Sequence, residues 1–431
     1  MSTTRTDRRQ DRPELRRAIE EIAESGFLGV QLRVNDEHGT WVGGAGVRES
    51  GRSAEAHTDG HFRAGSTTKS FVATTALMLV AEGRIGLDTP VEEHLPGFGL
   101  DGRITVRMLL QHTSGIFNHT GELREDGTVE PGVPWQGEEW VRNRFRTYRP
   151  EDLVRLSLSR PGRFAPGTGW SYSNTNYVLA RLVIERVTGR TFAEELQRLV
   201  LGPLGLTGTV APGTSPAVPE PHNRSYYRYR DAGRERTVDV TRHNPSWVSA
   251  GGDMITTTRD LHVYFSALMG GRLLPAALLA EMRTPEATIG YGLGVFVQDT
   301  GLGGPTLFHH NGATIGSAAL MYSTADGGTT MTAGLNYVDD AELSIAPAFQ
   351  NAQQRLVQAV FLDGRTDPAR PGPAEELTAE GRTLRDRGLL PNSPRAEFTG
   401  ATPSRSGRRG PFTHGLAGQR IRQAGEGQAE Q

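Results

Sequence analysis

The sequence predicts a mixed α/β fold of the α+β kind: one antiparallel sheet flanked by helices, with a helical lobe inserted between the two halves of the sheet. Three observations predict it. Apolar residues alternate with polar ones, as in half-buried strands, near both ends of the chain, over about 28–64 and 290–362. The stretch between them, about 85–285, has helical spacing instead. Directly after the first group of strands comes an apolar run, Phe71–Ala81, too evenly apolar to have a solvent face. Strands from both ends with helices between them pack as a sheet covered by helices, leaving a cleft beside the lobe.

The elements follow in order. Pro13–Glu24 has helical spacing through Leu15, Ile19 and Ile22 and stops at Gly26. Leu28–Val34 and Trp41–Val47 alternate on either side of the turn Asn35–Gly39 and form a hairpin, and a third strand ends near Ala64. The apolar helix after it ends at Gly83. Val106–His112 is a short helix. Residues 118–150 are polar and rich in Gly, Pro and Trp, which predicts a surface insertion bordering the cleft. Helices follow over Tyr177–Val187, closed by Gly189, and over Phe192–Leu199. Residues 211–247 read as loop and Ala250–Met254 as a flexible joint before a helix at Thr256–Leu268. Strands return at Gly292–Val297, Leu307–His310, Ala318–Tyr322 and Met331–Asn336, the last two joined by the turn Ala325–Gly328. Ile345–Phe361 closes the domain as a helix. This gives a flexible N-terminus over 1–12, one folded domain over 13–362 and, over 363–431, a Pro-, Gly- and Arg-rich tail with few large apolar residues, expected to be disordered.

Composition excludes several classes. A net charge of −2 gives no pull toward nucleic acid or an anionic membrane. The absence of cysteine removes disulfides and thiolate chemistry. The charged N-terminus has no apolar core of signal-peptide length, and no run approaches a membrane span, so the chain as written reads as cytoplasmic, or extracellular if the start codon is wrongly assigned. No His-Glu-x-x-His pattern or similar cluster suggests a metal, no glycine-rich phosphate loop suggests a nucleotide, and no cofactor is implied. No Gly-x-Ser-x-Gly elbow is present.

The chemistry concentrates at Gly65-Ser66-Thr67-Thr68-Lys69. All but one of the 47 basic residues are arginine, and the exception is Lys69. Arginine keeps its proton in a protein, whereas a buried lysine can lose it and act as a base. Residues i and i+3 share a helix face, so the Ser66 hydroxyl and the Lys69 amine can meet at the start of the apolar helix. Two further segments offer partners. In Tyr172-Ser173-Asn174 the phenol can relay a proton if its pKa is lowered by the lysine, and the amide can hold an acyl group or the lysine. In His310-Asn311-Gly312-Ala313, at a strand end, glycine permits close approach, and the Ala313 N–H with that of Ser66 can form an oxyanion hole. His309 points to the other face and reads as structural.

These three segments, in this order, resemble those of the penicillin-recognising serine hydrolases, which include DD-peptidases, class C β-lactamases and related esterases. The resemblance covers roughly residues 15–362 and extends to Leu109–Gly115 (Leu-Leu-Gln-His-Thr-Ser-Gly) and Leu201–Leu206. It implies a β-lactamase/transpeptidase-like fold with Ser66 as nucleophile, Lys69 as base, Tyr172 as proton relay and His310 as electrostatic partner. Asn174, Asn311, Gly312 and Ala313 would bind substrate. The histidine in the third segment is most similar to the actinomycete D-Ala-D-Ala carboxypeptidase branch. The expected substrate is then a small molecule or peptide with a D-residue, with β-lactams as inhibitors and neither nucleic acid nor membrane as partner. Other readings within the resemblance are a penicillin-binding-protein-type thioesterase that releases or cyclises a nonribosomal peptide, and an esterase. Outside enzymes, the reading is a sensor that stays acylated. The third segment departs from the pattern by carrying Asn311 and Ala313 where carboxylate-binding relatives have threonines.

Overall fold

The sheet forms around two apolar layers, one on each of its faces. In this computed structural model, residues 12–123, 128–301 and 304–362 are described. The predicted flexible N-terminus, but for residue 12, and the predicted tail over 363–431 lie outside them. Helix α1 (Pro13–Glu24) leads into β1 (Phe27–Asp36) and β2 (Gly39–Gly46), then the two-residue β3 (Phe62–Arg63). A single 3₁₀ turn, Gly65–Thr67, runs into α2 (Thr68–Ala81). The lobe contributes α3 (Val106–Gln111), α4 (Pro150–Leu158) and α5 (Asn174–Thr188). Next come β4 (Tyr226–Asp231), β5 (Arg234–Asp239), β6 (Ile255–Thr256) and α6 (Thr258–Met269). The second group of strands is β7 (Phe296–Asp299), β8 (Thr306–His309), β9 (Gly312–Thr314), β10 (Ser317–Thr324) and β11 (Thr330–Asp340), closed by α7 (Ala346–Val357).

The sheet runs β2-β1-β11-β10-β8-β7, so strands from the two chain ends meet where β1 pairs antiparallel with β11. Strand β10 shows how side-chain alternation builds both layers. Its Ala318, Leu320 and Tyr322 pack with α1 and α7 on the outer face, through Leu15, Ile19 and Leu356. Ala319 and Met321 face the larger core shared with α2, α5 and α6. Helix α2 lies inside that core, with every residue from Thr68 to Leu77 buried. A helix apolar on all sides is stable only when surrounded, which matches its sequence.

Three stretches differ from expectation. The 211–247 segment is not all loop: β4 and β5 form a hairpin, and β4 runs parallel to the end of β11 (Tyr226 beside Val338). Its turn, Ala232-Gly233, takes positive φ at both residues, as a two-residue hairpin needs. The 118–150 segment is not only surface: Asn118, His119, Trp140 and Val141 are buried, and Gly137–Asn143 is helical. The expected flexible joint is a buried 3₁₀ turn, Ser249–Gly251, tied by Gly251 N–H to Val248 O and Asp253 N–H to Ser249 O. Among the described residues, no helix is long and apolar enough to cross a membrane.

Candidate active site

One short ladder and a further backbone hydrogen bond fix the segment that carries Ser66. The pair β3–β6 sets Phe62 opposite Thr256, and Ala64 N–H donates to Met254 O at 2.8 Å. The 249–254 turn is thereby held against the start of α2. Gly65 then turns with φ +52, a value that favours glycine. Ser66 is half-buried, whereas Lys69, one helical turn on, is wholly buried.

Lys69 Nζ lies 2.5 Å from Gly251 O, 2.7 Å from Asn174 Oδ1 and 3.1 Å from Ser66 Oγ. Burial lowers its pKa well below the usual lysine range, because a desolvated ammonium here has no carboxylate partner to offset the cost. The expected serine–lysine pair is therefore in contact, and burial works against the charged form of the amine. Tyr172 places its ring 4.6 Å from Nζ and its hydroxyl in hydrogen-bond contact with Ser66. Its pKa moves opposite to expectation: burial raises it, so Tyr172 is a neutral phenol rather than a phenolate.

The third segment closes the other wall through its backbone. A Cβ on Gly312 would fall 2.0 Å from Ala64 O and 2.7 Å from Ser66 N, and one on Gly65 would fall 2.6 Å from Ala313 N. Only two glycines facing each other let these strands approach so closely. Ala313 sits opposite Ala318, one pair in from the two-residue turn Ile315-Gly316. Pairs alternate along an antiparallel ladder, so the Ala313 N–H points away from β10, on the side where Gly65 approaches. Ala313 is exposed, which leaves this side of the site open.

The side chains of the third segment face elsewhere. His310 is buried, with Nδ1 2.9 Å from Asn311 O and Nε2 3.0 Å from Tyr291 Oη. A carbonyl can only accept, so Nδ1 carries the proton and Tyr291 donates to Nε2. Burial lowers the His310 pKa to about 3, with a smaller contribution from nearby Lys69. Burial thus disfavours a charge on His310, and its ring nitrogens are engaged by Asn311 O and Tyr291 Oη, a geometry that argues against His310 as an electrostatic partner of Ser66. Asn311 is likewise engaged elsewhere. Its Nδ2 donates to Tyr322 at 2.8 Å and its Oδ1 is buried, so its amide serves the strand packing and is not presented to a substrate. His309 stacks between Phe296 and Tyr322 on the opposite face, as expected.

Four contributors were not assigned from the sequence. Gly251 acts through its carbonyl, which no side-chain pattern reveals. Thr120 accepts from Asn174 Nδ2 at 3.1 Å, and Asn118 Oδ1 accepts from the Asn174 backbone N–H at 3.0 Å. Both lie in the stretch read as a surface insertion. His112, in the Leu109–Gly115 motif, packs its ring 4.3 Å from that of Tyr172 and accepts at Nδ1 from Ser173 N–H and Asn176 Nδ2.

Comparison with known proteins gives a consistent set of likenesses. Residues 15–354 match the family model described as Beta-lactamase. A D-stereospecific amidohydrolase from Streptomyces sp. is 36% identical, with a TM-score of 0.69, covering 82% of this chain and 99% of that one. D-amino acid amidase from Ochrobactrum anthropi SV3, complexed with L-phenylalanine amide, is 25% identical, with a TM-score of 0.69 and coverage of 81% and 98%. Penicillin-binding protein 4* of Bacillus subtilis is 25% identical over 66% of this chain and 62% of its own length, so this chain spans under two thirds of that relative. The α+β architecture, with its mostly antiparallel sheet between helices, is that of the β-lactamase/transpeptidase fold.

Proposed function

The chain belongs to the beta-lactamase family of serine hydrolases, and we propose that it is an amidohydrolase working through an acyl-Ser66 intermediate, with a D-amino acyl group in a small amide, ester or short peptide as acyl donor. The observation that carries the mechanism is the buried Lys69 amine, held by Gly251 O and Asn174 Oδ1 and 3.1 Å from Ser66 Oγ. The D-amino acyl group is suggested by the amidohydrolase that is 36% identical over nearly its whole length.

The steps follow from the geometry. Ser66 Oγ attacks the substrate carbonyl while its proton passes to the lone pair of Lys69. The new oxyanion sits between the N–H groups of Ser66 and Ala313, donors fixed before the reaction. As the C–N bond breaks, the Lys69 ammonium returns its proton to the leaving amine through the Tyr172 hydroxyl, which accepts one proton and gives another. Water then attacks the ester, Lys69 takes the proton from it, and Ser66 regains its hydrogen as the carboxylate leaves. Asn174 holds Lys69 through Oδ1, and its second Nδ2 proton serves the acyl group.

The third segment bears on the leaving group. A carboxypeptidase must grip a terminal carboxylate, and the residues His310–Ala313 supply no cation for it. An uncharged amide or ester leaving group fits that wall better than D-alanine. The D-Ala-D-Ala carboxypeptidase reading keeps one support, the likeness to a penicillin-binding protein.

Intact-protein mass spectrometry tests the proposal with three probes: D-phenylalanine amide, a D-Ala-D-Ala peptide and a penicillin. The expected result is turnover of the D-amide, little release of D-alanine, and loss of every adduct in Ser66→Ala. Release of D-alanine at a higher rate than ammonia would exchange the two readings. An adduct that survives Ser66→Ala would remove the nucleophile assigned here.

A further inference from the structure

We propose that Thr120 is a positioning residue: with Asn118 it sets which way the Asn174 amide faces, and so keeps the lone pair of the Lys69 amine on the Ser66 hydroxyl. The inference rests on the serine–lysine reading above and extends it to residues outside the three recognised segments.

It follows from counting protons along one chain of hydrogen bonds. Asn118 Oδ1 receives the backbone N–H of Asn174 at 3.0 Å and that of Thr120 at 3.4 Å. Backbone N–H groups can only donate, so the atom between them is the oxygen of the Asn118 amide. The Thr120 hydroxyl, 3.0 Å from the same oxygen, must give it its single proton. Thr120 Oγ1 can then only accept from Asn174, so Asn174 turns Nδ2 toward Thr120 and Oδ1 toward Lys69. Gly251 O is likewise an obligate acceptor. A neutral amine has two protons, and both are committed to these oxygens. Its lone pair is left for the third neighbour, Ser66 Oγ.

If Asn174 turned over, the result would reverse. Nδ2 would face Lys69 and could donate into the lone pair that the serine needs. The turn itself is anchored: Asn118 N–H donates to Glu122 Oε1 at 2.6 Å, and Glu122 Oε2 meets Arg163 at 2.8 Å. The other titratable groups around Lys69 are Tyr172, Tyr177, His112, His119 and His310, and burial keeps each of them uncharged. Asp253, in the turn that carries Gly251, is buried with its pKa raised to about 6, so a limb that moves in the Thr120 variants and persists in Asp253→Asn reports Lys69.

The test compares wild type, Thr120→Val and Thr120→Ser across pH with a chromogenic D-phenylalanine anilide, measuring acylation rate and melting temperature. Valine preserves shape and removes the hydroxyl. The expected result is a fall in acylation of roughly 10- to 100-fold in Thr120→Val. Its acid limb should move to lower pH, because the freed amide can turn its N–H toward the neutral amine and favour it over the ammonium. Thr120→Ser should restore both. Wild-type rates in Thr120→Val overturn the proposal, as does a loss of rate that follows the melting temperature with the limb unmoved. A wild type inert toward every D-amino acyl probe would count against the serine–lysine reading itself, and this inference would fall with it.

Discussion

Lys69 and His310 are two buried bases on opposite walls of one cleft, and only one is wired to react. Burial works against charge at both: it lowers the Lys69 pKa well below the usual lysine range and brings that of the His310 imidazole to about 3. What separates them is where their protons go. The two protons of the lysine amine point at fixed carbonyl oxygens, leaving a lone pair beside Ser66. The histidine gives its proton to Asn311 O, and its lone pair is occupied by Tyr291. A depressed pKa makes a base available, but the surrounding acceptors decide whether it faces the nucleophile.

The strongest challenge to this contrast is substitution of the lysine. Lys69→Arg should reduce acylation roughly 10²–10⁴-fold, since the charge is kept and the base is lost. It should also lower the melting temperature, because a permanent cation would enter a site with no counter-charge. Lys69→Met should be equally inactive while keeping the fold, and calorimetry on both variants separates the two effects. Turnover near wild type in Lys69→Met would mean the base lies elsewhere.

On the opposite wall a smaller effect is expected. His310→Gln keeps a donor and an acceptor without a titratable ring, so acylation should fall less than about tenfold, as for a second-tier hydrogen bond. A loss as large as that of Lys69→Met, measured with the same anilide, would restore His310 as a direct electrostatic participant.

The last effect leaves the rate untouched and is thermodynamic. His119, His309 and His310 are buried as neutral rings, with pKa values lowered to about 4, 3 and 3. The unfolded chain binds a proton at each near pH 6.5 and the folded chain does not. Their stabilising contribution is therefore full above about pH 6.5 and is lost as pH falls from there toward 3, by at most about 1.4 kcal/mol per pH unit for each ring. Denaturant titrations between pH 7 and 4 should show His309→Phe with a shallower slope than wild type. An unchanged slope would mean that His309 is protonated in the folded state.

The same contrast explains how much could be read in advance. Ser66, Lys69 and Asn174 announce themselves by spacing along short segments, and the outer strands by alternation. Gly251 and Thr120 do not, because one works through a carbonyl and the other is a common polar residue. Packing alone brings them to Lys69 from 182 and 51 positions away along the chain. The hairpin β4–β5 is not legible in the sequence because Arg234–Asp239 has no apolar face to alternate. Residues 118–150 read as surface from their polar composition, although Asn118 and His119 are buried in satisfied hydrogen bonds.

A chain with one lysine, and that one within α2, presents no ε-amine to solvent when folded. A lysine-specific endoprotease would then have one bond to cut in the whole polypeptide, after Lys69, and could reach it only when the central helix opens. The cleavage rate would measure that opening directly, so the catalytic amine also marks the stability of the innermost part of the fold.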